Sequence, residues 1–281
     1  MSTRTVSIVM PARNEERRLG PLFATLRTTA SADVARAGLQ LLEVIVVDDA
    51  SSDRTAALLH EEAAASPLVK PLVQALQARG KGAAVAAGVR AASGELTLIV
   101  DADLSVPLDD VVKLAASLSA GADIAIGSRD VPGSVIENAP RHRVWLGRSF
   151  NFAVRRLTRL SFRDTQCGFK LLPTATASAL IANQLVPGLA YDVELLARAR
   201  AAGLVTKEVP VRYVHGRDSG VKPLRAAPRM AVDVSRIALR LGQRRGGRPL
   251  VASANHSERY ARREPDTAPD ESGLELHGRR E

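Results

Sequence analysis

Leu96-Thr97-Leu98-Ile99-Val100-Asp101-Ala102-Asp103 reads as a short buried strand that ends in two acids. Two carboxylates one residue apart at the mouth of a buried strand are costly to hold together without a cation. Hard divalent ions such as Mg2+ or Mn2+ take oxygen ligands of this kind and keep positions open for phosphate oxygens. A second acidic strand end, Val44-Ile45-Val46-Val47-Asp48-Asp49, lies upstream. Together the two ends point to a nucleotide–metal site on an α/β sheet, with the ion bridging a diphosphate. The plainer alternatives are a surface turn at 101–103 and a helix N-cap at Asp48.

Outward from these two stretches, residues 5–127 alternate in type. Strand-like runs are Val6–Met10, Val44–Asp48, Leu72–Leu76, Leu96–Asp101 and Ile124–Gly127. Helical patterns lie between them at Glu15–Thr29, Arg54–Ala65, Gly82–Ala92 and Leu108–Leu118. Such alternation predicts a doubly wound, mostly parallel, Rossmann-like sheet, with ligands at the carboxyl ends of its strands. Polar side chains gather at those ends: Arg13, Asn14 and Glu15, then Asp48 and Asp49, Asp101 and Asp103, and Ser128 and Arg129. Arg79-Gly80-Lys81-Gly82 departs from both the Walker and the dinucleotide patterns, yet Gly and Lys at a helix start suit an anion.

Arg141–Arg163 reads as a basic helix. Five of the nine aromatic residues, Trp145, Phe150, Phe152, Phe162 and Phe169, fall between positions 145 and 169. Strand-like Phe169–Leu172, helical Thr174–Ala182 and Asp192–Ala202, and extended Val205–Val214 follow. In the helix at Met230–Leu241, Met230, Val234, Ile237 and Leu241 recur at helical spacing, with Arg229, Arg236, Arg240 and Arg244 largely off that line. Both basic helices either pack on the core or lie on an anionic membrane surface. The expected organisation is a transferase domain at 1–223, a basic amphipathic helix at 224–245 and a disordered tail at 246–281. The histidines show no metal-ligand spacing.

The chain has 281 residues, 46% of them apolar, and a net charge of +9, made up of +10 before Gly246 and −1 after it. That excess suits phosphate-bearing substrates, anionic lipid or nucleic acid. The single cysteine, Cys167, excludes an intrachain disulfide and a Cys-based zinc site, which fits a reducing compartment. No apolar run reaches transmembrane length.

Several segments resemble glycosyltransferase family 2: Val-Met-Pro-Ala-Arg-Asn-Glu-Glu (9–16), Val-Val-Asp-Asp-Ala-Ser-Ser-Asp-Arg-Thr (46–55), Gly-Lys-Gly-Ala-Ala-Val (80–85) and Asp-Ala-Asp-Leu-Ser (101–105). Ile-Gly-Ser-Arg (126–129), Asp-Thr-Gln-Cys-Gly-Phe-Lys (164–170), Tyr-Asp-Val-Glu-Leu (191–195) and Glu-Val-Pro-Val (208–211) resemble its dolichyl-phosphate β-glucosyltransferase branch, a relative of the polyprenyl-phosphate mannose synthases. The resemblance implies a GT-A fold and inverting, metal-dependent transfer of a hexose, glucose first, from a UDP-sugar to a polyprenyl phosphate. It implies that Pro11, Ala12, Asn14 and Glu15 line the nucleotide pocket, that Asp48 meets the base, and that Lys81 and Asp101 meet the nucleotide. Asp101 and Asp103 would hold Mg2+ or Mn2+, with Ser105 standing where the mannose synthases have Gln. Asp103 and Arg129 would be the catalytic pair, and Arg129, Arg141, Arg143, Arg148 and Lys222 would face the acceptor phosphate. Asp192, Glu194 and Ser219 fall in the later motifs. The eukaryotic members carry an N-terminal anchor, whereas this sequence starts just before the first strand. A cytoplasmic protein, peripheral on the inner membrane face and held by its basic helices or a partner, is therefore expected.

Two other functions compete. A transferase with a hydroxyl acceptor would need a carboxylate base, with Asp192 or Glu194 as candidate. A basic nucleic-acid-binding protein is disfavoured by the acidic strand ends, which repel phosphate unless metal intervenes.

Overall fold

The computed structural model describes residues 3–73, 77–216 and 223–242. The apolar runs form a seven-stranded sheet of order β3-β2-β1-β4-β7-β5-β8. Its strands are β1 (Arg4–Ala12), β2 (Leu39–Asp48), β3 (Val69–Val73), β4 (Leu96–Ile99), β5 (Ile124–Ser128), β7 (Lys170–Pro173) and β8 (Thr206–Pro210). All neighbours are parallel except around β7, which runs antiparallel between β4 and β5. A small parallel pair, β6 (Val135–Glu137) and β9 (Arg212–Val214), stands apart.

Helices cover both faces, which is why the central strands read as unbroken apolar runs. Val6, Ile8, Met10, Val44, Val46 and Leu98 pack with Leu19 and Leu22 of α1 (Glu16–Thr28), Val34 of α2 (Ala30–Arg36), Leu59 of α3 (Thr55–Ala65) and Leu114 of α5 (Val111–Ser119). On the other face, Ile99, Ile126 and Leu172 meet Val85 and Val89 of α4 (Lys81–Ala91), Leu180 of α7 (Thr174–Ile181) and Leu196 of α8 (Tyr191–Ala201). Val154 of α6 (Arg141–Thr158) and Val234 and Ile237 of α9 (Pro223–Gly242) join that second core.

The structure corrects several expected boundaries. α2 and β6 are additional elements, the extended run Val205–Val214 divides into β8 and β9, and the third strand starts three residues earlier than expected, at Val69. The basic helix stops at Thr158 rather than Arg163, because Arg159 turns left-handed (φ 58°) and its N–H closes on the Arg155 carbonyl. The last helix is longer than its apolar repeat suggested. The expected tail, 246–281, lies outside the described residues. No described helix is long and apolar enough to cross a membrane.

Candidate active site

In strand order 3-2-1-4 the chain reverses direction of winding beside β1, and the crevice there opens at the carboxyl ends of β1, β2 and β4. The β1 and β2 ends are stitched to each other. Asn14 (φ 55°) accepts from the Ser52 N–H at 2.8 Å, and its own N–H donates to Ser51 Oγ at 2.9 Å. The Glu15 N–H donates to Thr55 Oγ1 at 2.8 Å. Pro11 is half-buried and Ala12 buried at the base of this loop. Asp48 is buried, and its carboxylate accepts from both the hydroxyl and the N–H of Ser51. The carboxylate expected to meet a base therefore first shapes the turn beside it. Its neighbour Asp49 accepts from the Arg79 N–H at 2.7 Å and the Gly80 N–H at 2.8 Å. That bond pair draws the Gly80 loop toward the crevice. Gly80 adopts φ 107°, which a side chain would resist, and a Cβ there would meet the Pro187 carbonyl oxygen at 2.6 Å.

Lys81, first residue of α4, reaches Asp101 Oδ1 at 2.6 Å, and its ammonium lies 5.8 Å from the centre of the Tyr191 ring. Burial works against the Lys81 charge, but Asp101, then Asp192 and Asp103, hold its pKa above the ordinary value. Burial likewise opposes the Asp101 charge, yet Lys81, Lys170 and Arg129 keep that carboxyl below its usual range. Asp103 is exposed one turn on, with Oδ1 accepting the Ser105 N–H at 2.9 Å. Between them in space and sequence, Leu104 takes φ 46°, a strained value for a side chain of that bulk. Ser105 is buried and its carbonyl binds the Val214 N–H.

Glu15 completes the acidic edge. Burial, together with the like charges of Asp103 and Asp101, raises its carboxyl despite the Arg18 guanidinium 2.7 Å away. Asp101 and Asp103 are hard-oxygen groups at one strand end whose charges act on the same neighbour, and two such carboxylates suit a divalent ion that takes its other oxygens from a ligand. No group of three or more His, Cys, Asp or Glu among the described residues is gathered closely enough to hold a metal without help. Asp101 and Asp103 would share the ion with diphosphate oxygens.

Arg129, after β5, grips buried Asp164 with both Nε (2.6 Å) and Nη2 (2.9 Å) and lies 5.1 Å from the Tyr213 ring. The Asp164 carboxyl, despite its burial, is held down to about 2 by Arg129. Arg148 is bound to Asp130 at 2.8 Å. Arg141 is exposed with no protein partner among the described residues, and Arg143 faces His215 Nε2 at 3.4 Å. Burial and Arg143 lower the His215 pKa while Asp103 opposes them. Sequence reasoning passed His215 over, because nothing in its local spacing marks it. Lys222 and Ser219 lie outside the described residues.

Asp192 and Glu194, the candidate bases, are both buried and engaged. Asp192 binds the Lys170 ammonium. Glu194 accepts from the Leu185 and Val186 N–H groups and from Arg198. Neither opens to the crevice as a base would have to.

A family model described as glycosyl transferase family 2 matches residues 7–177. A dolichyl-phosphate beta-glucosyltransferase of Trichomonas vaginalis is 33% identical over 83% of this chain and 70% of its own length. The protein of the same name from Mus musculus is 34% identical over 85% of this chain and 76% of its own. Among solved structures, a glucosyl-3-phosphoglycerate synthase from Mycobacterium tuberculosis, in complex with Mn2+, uridine diphosphate and its product, superposes with a TM-score of 0.60 at 20% identity. That likeness covers 85% of this chain and 80% of that one, and it identifies the sheet as the GT-A fold. A strand-end acidic site on that sheet, matched from the first strand to the seventh helix, means that this chain belongs to glycosyl transferase family 2.

Proposed function

We propose that this glycosyltransferase moves glucose from UDP-glucose to a polyprenyl phosphate of the dolichyl type, inverting the anomeric centre, at a site that takes Mg2+ or Mn2+. One observation carries the reading. His215 meets Arg143 of the basic helix α6 and also feels the charge of Asp103, while the carboxylates that would serve as base are spent inside the fold. The names of the relatives that match most of both chains support the sugar and the acceptor.

A phosphate monoester has its second pKa near 6 and carries a charge of roughly −1.5 to −2 at neutral pH. Its oxygen is already a nucleophile, so the unavailability of Asp192 and Glu194 is no obstacle. The work left is positioning and electrostatics. Lys81 would leave Asp101 for the donor's diphosphate, helped by the Lys81 and Gly82 N–H groups at the start of α4, since those of Ala83 and Ala84 are bound to the Pro187 and Gly80 carbonyls. Asp101 and Asp103 would hold the divalent ion, which when bound supplies charge neutralisation for the leaving diphosphate. Pro11, Ala12, Asn14 and Glu15 would wall the nucleotide, and Asp48 would fix the turn against which the base rests. Arg141 and Arg143, uncommitted to any carboxylate among the described residues, would hold the acceptor phosphate. Arg129, locked by Asp164, would present its remaining edge beside Tyr213.

The acceptor's lipid tail calls for a membrane. On α6, Trp145 (73% exposed) and Phe152 (63%) stand in solvent between Arg141, Arg148 and Arg156, the composition of a helix lying in an anionic interface. Peripheral binding at the cytoplasmic face follows from this reading.

Purified protein with UDP-glucose, Mn2+ and a polyprenyl phosphate is expected to yield a lipid-extractable glucoside that needs all three. Product forming only with hydroxyl acceptors would sink the proposal.

A further inference from the structure

Below the Asp101 carboxylate lies a floor that the mechanism above leaves unused. A Cβ at Gly168 would stand 2.2 Å from Asp101 Oδ2 and 2.5 Å from Oδ1, so the carboxylate rests directly on the glycine backbone. Two residues on, in β7, Lys170 is 1% exposed, and its ammonium donates to the Cys167 carbonyl oxygen and to Asp192, itself 2% exposed. The four charges of Lys81, Asp101, Lys170 and Asp192 lie close enough to act on one another. Asp101 feels Lys170, and Lys81 feels Asp192. Fully buried ion pairs stabilise a fold no better than apolar groups of the same volume, so the pair needs another reason to be there.

We propose that Gly168 and the Lys170–Asp192 pair are positioning residues for Asp101. Gly168 sets where the carboxylate sits. Lys170 is the second cation that keeps the carboxylate in place when Lys81 turns to the diphosphate. Asp192 anchors Lys170 and takes no proton from the acceptor. This inference rests on the metal–diphosphate reading given above.

Two variants test it: Gly168→Ala, which adds one methyl under the carboxylate, and the double change Lys170→Met with Asp192→Leu, which removes both charges without stranding either. The readout is Mn2+ binding in the presence of saturating UDP, followed by the electron paramagnetic resonance of free Mn2+. Each variant is expected to weaken Mn2+ binding by about 10- to 100-fold, as loss of groups that orient metal ligands does. UDP binding measured in chelator should be unchanged, and raised Mn2+ should restore turnover in the double variant. Wild-type Mn2+ affinity in Gly168→Ala overturns the proposal, and that variant carries the test alone if the double change does not fold. Asp192→Asn with normal Mn2+ affinity and no turnover would also overturn it, by showing a proton-transfer role. Asp103→Asn is the control for the underlying reading: if it too binds Mn2+ and UDP normally, the metal assignment falls, whereas a loss there with none at Gly168 sinks only the floor.

Discussion

Helices α6 and α8 are both rich in charge and both flank the crevice, yet they use their charges in opposite ways. On α8, Asp192, Glu194 and Arg198 are all buried, and each is spent on a partner inside the protein. On α6, Arg141, Arg148 and Arg156 are exposed and alternate with Trp145 and Phe152. The first helix's charges hold the fold beneath the site. Of the second helix's charges, Arg148 meets Asp130 at the surface, while Arg141 and Arg156 meet no partner among the described residues. A charged motif therefore reveals a role only once its burial is known.

The contrast can be broken or sharpened by substitution. The largest effect is expected on neither helix but at the strand end both attend. Asp103→Asn should cut lipid-linked transfer by about 1,000-fold, on the scale of losing a direct stabiliser of transition-state charge, with its melting temperature retained. Radiolabel extraction and calorimetry on one preparation check both halves. On α8, Glu194→Gln should lower unfolding free energy by about 3 kcal/mol, because Arg198 is left as a buried, poorly compensated charge. Denaturant melts read this, and turnover per folded molecule should hardly move. A turnover collapse in a fully folded Glu194→Gln would erase the distinction between the helices.

Arg129–Asp164 sits between the two cases and titrates accordingly. The folded Asp164 carboxyl is held at about 2, below its unfolded value. Its contribution is thus present above about pH 4 and lost as pH falls through about 2, and amounts to about 2 kcal/mol. Acid unfolding of wild type against Asp164→Asn should converge at the low end of that window and diverge above it. Arg143→Ala on α6 should raise the KM for polyprenyl phosphate by about 10-fold, one charge-assisted hydrogen bond's worth, with the UDP-glucose KM unchanged. Smallest, Phe152→Ser should reduce partitioning onto anionic liposomes by several-fold, roughly the loss of one partly buried aromatic side chain. Turnover of a short, water-soluble isoprenyl phosphate by that variant should match wild type.

How far the chain could be read beforehand depends on where each signal lives. Val6–Met10, Val44–Asp48 and Leu96–Val100 are contiguous apolar runs followed by acids, so strand, burial and functional end were visible together. β7 was visible as a strand, but its antiparallel insertion between β4 and β5 was not, since side-chain alternation is blind to direction. The three-residue β6 is too short for any period to show. α2 runs on from α1 after Thr29 alone, without a Gly or Pro to mark the break. At the site, Lys81 lies against Asp101, and Arg129 and Arg148 face acids at Asp164 and Asp130 that no local pattern ties to them.

By itself the amino-acid order determined the α/β class, the edge of the sheet where the acidic strand ends gather, and the family, because apolar periodicity and strand-end motifs are written in consecutive residues. Only the tertiary structure decided which charges are spent and which are free. Lys170 with Asp192, Arg129 with Asp164, and Asp101 on Gly168 are pairings across 22, 35 and 67 positions of chain. Whether a carboxylate is a ligand, a base or a brace is set by solvent access and neighbouring charge, and both exist only after the chain has folded.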